Sequence, residues 1–148
     1  MRRKLKGSLL LYLTIFLVAA LVGGSWFYLE GPCGTRPVAR ALDEFAIILG
    51  NVYLMEEQSR TSGLLASTLI TGYQAAFKEA QLVNTPSCLT KGRELILSGL
   101  KNALSSVKAQ LEHKDQIEVN AYYESYTTDL VLMGIEFDRV EDCTPFCN

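Results

Sequence analysis

Apolar residues recur through most of this chain with the period of an α-helix. In the first such stretch, Val38, Leu42, Phe45, Leu49 and Val52 follow one another at 4-3-4-3 spacing. Three later stretches repeat the pattern: Leu65, Leu69, Ala76, Ala80 and Val83; Leu89, Ile96, Leu100, Ala103 and Val107; and Val119, Tyr123, Tyr126, Leu130, Met133, Phe137 and Val140. Such stripes face a common core, whereas the two-residue alternation of strands is not sustained. The pattern predicts an all-α body.

Polar segments and one proline separate the four stripes. In the segment NTPSC, Thr85 is the predicted N-cap of a helix whose first residue is Pro86. In the polar cluster 112–116, Asp115 is the predicted cap of the last helix. The cluster QSRTSG at 58–63 is a weaker break. The predicted helices are therefore 37–58, 62–84, 87–111 and 116–142. A long hairpin of two helices, broken near Pro86, is the alternative.

The N-terminal segment is apolar without interruption. No charge occurs from Ser8 to Leu29, over 22 residues, and the preceding sequence is the basic MRRKLKG. A helix of about 20 apolar residues crosses the hydrocarbon core of a bilayer. Trp26 and Tyr28 suit the outer interface, and basic residues favour the cytoplasm. We therefore expect a cytoplasmic N-terminus (1–7), a transmembrane signal-anchor helix (8–29), a linker (30–36) and an extracytoplasmic body (37–148), periplasmic or at the cell surface.

Two other interpretations of this segment stay open. A cleaved signal peptide would be cut before Ser25, after the small residue Gly24. The bulky apolar run that continues to Tyr28 favours a retained anchor instead. The motif KLKG before an apolar helix also resembles a pilin-like leader, but Tyr12 stands where such leaders usually carry Glu. A pilin-like or secreted helical protein is thus a further alternative.

The four cysteines, Cys33, Cys88, Cys143 and Cys147, discriminate between the two folds. Disulfides are favoured outside the cytoplasm. An up-down-up-down four-helix bundle brings all four cysteines to its membrane-proximal end, whereas a long hairpin would leave Cys88 about 70 Å from the others. The sequence therefore predicts a four-helix bundle stapled there by disulfides. We expect Cys33 and Cys88 each to bond one tail cysteine, among the three possible pairings.

Charge and composition argue against several functional classes. Beyond its basic start, the chain has ten basic and 16 acidic residues, a balance unlike that of a nucleic-acid binder. His113 is the only histidine, so neither a catalytic triad nor a multi-histidine metal site is available. No glycine-rich phosphate loop follows a strand. We expect a non-enzymatic protein without a cofactor or metal site.

Two sets of residues are candidates for binding. Tyrosines at similar heights on the predicted helices suggest a small-ligand pocket bordered by Tyr53, Tyr73, Tyr122 and Tyr126. Ile47, Asn51 and Leu54 lie off the core stripe of the first body helix and form a possible partner seam. The seam favours an accessory or assembly subunit that contacts the bilayer and other membrane or envelope proteins. The pocket favours the alternative, a sensory bundle that relays ligand binding to a partner.

Overall fold

The structure, a computed structural model, describes residues 2–62 and 65–144. Over these two ranges the chain is helical and contains no strand. Its helices are α1 (Arg2–Glu30), α2 (Thr35–Ser62), α3 (Ala66–Leu82), α4 (Thr90–Leu111) and α5 (Gln116–Cys143), and a short 3₁₀ turn, Ser87–Leu89, precedes α4. The predicted all-α class is confirmed. Four separate helices, α2 to α5, form the body after the apolar helix α1.

One predicted helix cap is confirmed and the other is wrong. The Asp115 side chain accepts a hydrogen bond from the Ile117 backbone N–H at 3.3 Å, so it caps α5. The Thr85 hydroxyl instead donates to the Val83 carbonyl at 3.0 Å. Pro86 holds an extended backbone (φ −55°, ψ 151°) and enters the 3₁₀ turn, so α4 begins only at Thr90. The proline therefore starts a tight turn and not the helix itself.

The turn between α4 and α5 accounts for His113. This residue has a left-handed backbone, with φ at 54°. Its N–H donates to the Gln110 carbonyl, and the Lys114 N–H donates to the Ala109 carbonyl. These paired bonds are the Schellman arrangement that ends a helix. His113 thus terminates α4 in an exposed turn.

A single hydrophobic core draws side chains from all four body helices. Its largest fully buried side chains are Phe45, Leu89, Ile96, Leu100 and Val140. Every member of the predicted third stripe is buried, as is Val119 at the start of the fourth. In α2 the buried face is rotated slightly, so that Ala41 and Ile48 are buried while Leu42 and Leu49 are half-buried. Leu65 is exposed because it precedes α3.

Small residues let α4 approach α5 closely. A Cβ atom added to Gly92 would overlap the ring of Phe137. Near the other end of α4, the buried Ser106 hydroxyl donates to the Val119 carbonyl at 3.4 Å. The Phe137 ring also stacks on Phe45 of α2, with ring centroids 6.0 Å apart. Side chains of α5 therefore contact both α4 and α2.

The disulfide differs from the predicted pairing. Cys33 bonds directly to Cys88, with Cα atoms 6.1 Å apart, and neither is joined to a tail cysteine. Cys33 precedes α2 and Cys88 lies in the 3₁₀ turn, so α3 returns the chain to the start of α2. This distance rules out the long hairpin. The predicted pairing with the tail was wrong, because bringing cysteines to the same end of a bundle does not determine which of them bond. The side chain of Cys143 and all of Cys147 lie outside the described residues.

Helix α1 is long and apolar enough to cross a membrane, judged by length and composition alone, a property that a signal sequence shares. All of its described side chains, from Thr14 to Glu30, are exposed. A short link, 31–34, joins it to α2. An ion pair between Arg36 and Glu30 crosses this link.

Candidate functional site

Two buried tyrosines share one carboxylate in the part of the body away from the disulfide. The Tyr73 hydroxyl donates to Oε1 of Glu56 at 2.7 Å, and the Tyr126 hydroxyl donates to the same atom at 2.8 Å. Burial raises the pKa of both phenols, and the neighbouring Glu56 carboxylate raises each pKa further. Single residues from α2, α3 and α5 thus meet at one polar point beside an apolar core.

Helical periodicity positions all three side chains. Glu56 follows the buried Val52 by four residues, so it continues the inward face of α2. Tyr73 precedes the buried Ala76 by three residues on α3. Tyr126 follows Val119 by seven residues, which is two helical turns on α5. The three side chains of this polar cluster therefore lie in line with the apolar core stripes of α2, α3 and α5.

A cavity of about 190 Å³ adjoins this cluster. Its walls combine apolar residues with hydroxyl, amide and charged groups: Glu56, Ser59, Arg60, Leu69, Tyr73, Ala103, Ser106, Val107, Gln110, Tyr123 and Tyr126. The rings of Tyr123 and Tyr126 meet edge to face, with centroids 6.1 Å apart. The Arg60 guanidinium opposes the rise in the Tyr126 pKa, so its positive charge acts at the same site. The cavity thus offers one acidic and one basic group together with aromatic surface.

Of the four tyrosines expected at a pocket, the structure brings two together. Tyr73 and Tyr126 border the cavity, whereas Tyr53 and Tyr122 do not. Tyr53 is 66% exposed, because one residue beyond the buried Val52 turns a side chain about 100° away from the core. Tyr122 is half-buried on α5 but does not line the cavity, whereas its neighbour Tyr123 does. The sequence predicts similar heights for these tyrosines along the helices, but height does not determine the direction in which each ring points.

Glu56, Arg60 and Tyr123 were missed as cavity residues. An adjacent acidic pair such as Glu56 and Glu57 is typical of a solvated surface, yet of the two only Glu57 is exposed. The signal was present, because the 4-3-4-3 stripe that ends at Val52 has its next position at residue 56. A carboxylate on a core stripe indicates a buried polar contact.

The residues of the predicted seam, Ile47, Asn51 and Leu54, lie on the surface of the body. Ile47 is 65% exposed and Leu54 is 58% exposed. Beside them, a groove of about 290 Å³ between α2 and α3 is lined by Glu44, Ile47, Ile48, Glu79, Leu82 and Val83. A second groove of about 240 Å³ shares Ile48 and Glu79 with it. We call these two grooves together the α2–α3 groove; Ile47 lines one of them and Asn51 the other.

The raised pKa values of Tyr73 and Tyr126 predict a loss of stability in alkali. Folding favours the neutral form of both phenols. Their contribution to the free energy of unfolding is therefore complete below pH about 10, the pKa of a tyrosine in the unfolded chain, and declines above that pH. The measurement is ultraviolet absorbance, which detects the formation of tyrosinate as the pH rises. Of the seven tyrosines, these two should ionise only as the protein unfolds. Changing both to Phe should remove that late step; its persistence would contradict the assignment.

Comparisons of the chain with protein-family models, with curated proteins and with solved structures found no match. Within the described ranges, no group of three or more His, Cys, Asp or Glu side chains is placed to hold a metal ion. The body has two candidate binding features: the α2–α3 groove and the cavity at Glu56.

Proposed function

We propose that this chain is a non-enzymatic, single-pass membrane protein, an accessory or assembly subunit that binds other membrane or envelope proteins through the seam on α2. The observation that carries the proposal is the exposure of Ile47 and Leu54, seven residues apart on the helix that follows the apolar segment. Ile47 also lines the α2–α3 groove, and exposed apolar surface beside a groove favours a protein contact there.

Several features support α1 as the anchor. Apolar side chains such as Phe16, Val22 and Trp26 are exposed on α1. The hydrocarbon core of a bilayer would cover them, and a helix satisfies its own backbone hydrogen bonds there. The basic residues precede the apolar run, and this order favours a cytoplasmic N-terminus and a body outside. A disulfide between Cys33 and Cys88 agrees with an oxidising compartment.

The contacts between helices support an up-down-up-down bundle. Cys33 and Cys88 meet at one end of α2 and α3, while Glu56 and Tyr73 meet towards the other. For α4 and α5, the early Gly92 faces the late Phe137. In this arrangement the disulfide lies at the end of the bundle nearest α1, and the α2–α3 groove extends outward from the membrane.

The groove favours a helical partner with basic residues. Ile48, Ala75 and Ala76 give the groove an apolar lining, whereas Met55 of α2 already covers Gly72. Glu44 and Glu79 provide negative charge at its edges. An amphipathic helix whose apolar stripe is flanked by Lys or Arg complements both features. We propose that such a helix, on another membrane or envelope protein, occupies the groove.

The double change Ile47→Lys with Leu54→Lys tests this surface. We expect the variant to fold with a free energy of unfolding within about 0.5 kcal/mol of the parent, because both positions are exposed. The complex extracted from native membranes in mild detergent should fall in mass to that of the isolated chain. Native electrophoresis measures this mass.

The matched control is Val131→Lys with Ile135→Lys on α5. These residues are 64% and 60% exposed, close to the values at the seam, and each change likewise replaces an exposed aliphatic side chain with lysine. The control should leave the complex intact. Loss of the complex in the control alone would move the contact surface to α5, and unfolding of the seam variant would show that Ile47 and Leu54 stabilise the core.

A further inference from the structure

We propose that the cavity at Glu56 binds a small zwitterion, a molecule of amino-acid size that carries one ammonium and one carboxylate group. This site is separate from the seam and does not depend on the proposed docking there. Three properties of the cavity favour such a ligand: an acidic group set among aromatic rings, a basic group one turn away, and a small volume.

The ammonium group is assigned to Glu56. Both tyrosine hydroxyls donate to its Oε1 atom. Among the described residues, no hydrogen bond reaches Oε2. The carboxylate is therefore oriented by two donors and keeps an acceptor oxygen for a ligand. The rings of Tyr73, Tyr123 and Tyr126 line the same space, and aromatic faces attract an organic cation.

The carboxylate group is assigned to Arg60. This residue follows Glu56 by one helical turn, about 6 Å along α2. It lines the cavity, yet within the described part of the chain no carboxylate lies within ion-pair distance of it. Ser59 and Gln110 add further polar groups beside it. A ligand with a positive charge alone would meet the guanidinium unfavourably, whereas a zwitterion satisfies both charged groups.

Cavity volume limits the rest of the ligand. The cavity has a volume of about 190 Å³ and is partly open to solvent. This fits a zwitterion with a short side chain. Leu69, Ala103 and Val107 supply apolar surface for that side chain. A small aliphatic α-amino acid meets the charge, aromatic and volume requirements together.

The test is calorimetric titration of the full-length protein in detergent with three matched probes. L-Alanine carries both charges, ethylamine carries only the ammonium, and propionate carries only the carboxylate. We expect heat of binding for L-alanine at millimolar concentration and none for the other two. Equal binding of ethylamine would overturn the role of Arg60, and absence of binding by L-alanine would overturn the proposal.

Three variants assign the binding to these residues. Arg60→Gln and Glu56→Gln should each weaken L-alanine binding about tenfold or more, because each removes a charge-assisted contact. Gln at position 56 can still accept from the tyrosines, which preserves the fold. Arg40→Gln, at an exposed position on the same helix, is the matched control and should bind as the parent does. Unchanged binding by Arg60→Gln would contradict the site.

Discussion

Replacing both Cys33 and Cys88 with Ala is expected to lower the free energy of unfolding by about 4 kcal/mol. The bond joins residues 55 positions apart, so it closes a long loop in the unfolded chain and restricts its conformations. It also fixes the start of α2 beside the 3₁₀ turn, where the Cys88 N–H donates to the Cys33 sulfur at 3.2 Å. Urea denaturation of the detergent-solubilised protein measures the change.

A tail variant separates this bond from any effect of the other cysteines. Cys143→Ala with Cys147→Ala should leave the Cys33–Cys88 bond in place, and non-reducing peptide mapping should recover the two segments linked. The parent protein should yield the same linked pair. A peptide that joins Cys88 to Cys143 or Cys147 would contradict the observed pairing and restore the arrangement expected from the sequence.

Changing Glu56 to Leu is expected to lower the free energy of unfolding by about 3 kcal/mol, because two buried hydroxyls lose their acceptor at once. Tyr73 and Tyr126 both donate to this carboxylate and to no other group among the described residues. Each unsatisfied buried donor costs about 1–3 kcal/mol. The same urea titration measures the loss.

The neighbouring Glu57 provides the matched control. It is exposed, so Glu57→Leu should change the free energy of unfolding by no more than about 0.5 kcal/mol. Adding Tyr73→Phe and Tyr126→Phe to Glu56→Leu should recover most of the lost stability, since no polar group then lacks a partner. If Glu56→Leu alone were as stable as the parent, the three residues would not form a cooperative buried cluster.

Much of the helical architecture could be predicted from residue spacing. The third stripe, from Leu89 to Val107, was fully correct because α4 packs against both α3 and α5, so its apolar face is covered on two sides. Helix α5 ends at Cys143, one residue beyond the expected 142, and Thr144, which precedes a proline and is pushed away from helical angles, accounts for this end. Residue spacing and backbone chemistry are local properties, and they determine where each helix begins and ends along the chain.

Contacts between helices were harder to derive, because they depend on the rotation of each helix about its axis. A shift of one position in α2 exchanged Leu49 for Ile48 in the core. The same rotational uncertainty misplaced Tyr53 and hid the meeting of Glu56 with Tyr73 and Tyr126. The disulfide shows the same limit, because the sequence brings cysteines to one end without selecting the partners.

The most direct test of docking at the seam is site-specific photo-crosslinking in native membranes. A photoreactive residue at position 47 should capture one defined protein other than a second copy of this chain, and the added change Leu54→Lys should abolish that product. The same probe at position 131 on α5 should not yield it. A product at position 131 but not at 47, or a product at 47 with twice the mass of the chain, would contradict an accessory subunit that binds its partner through α2.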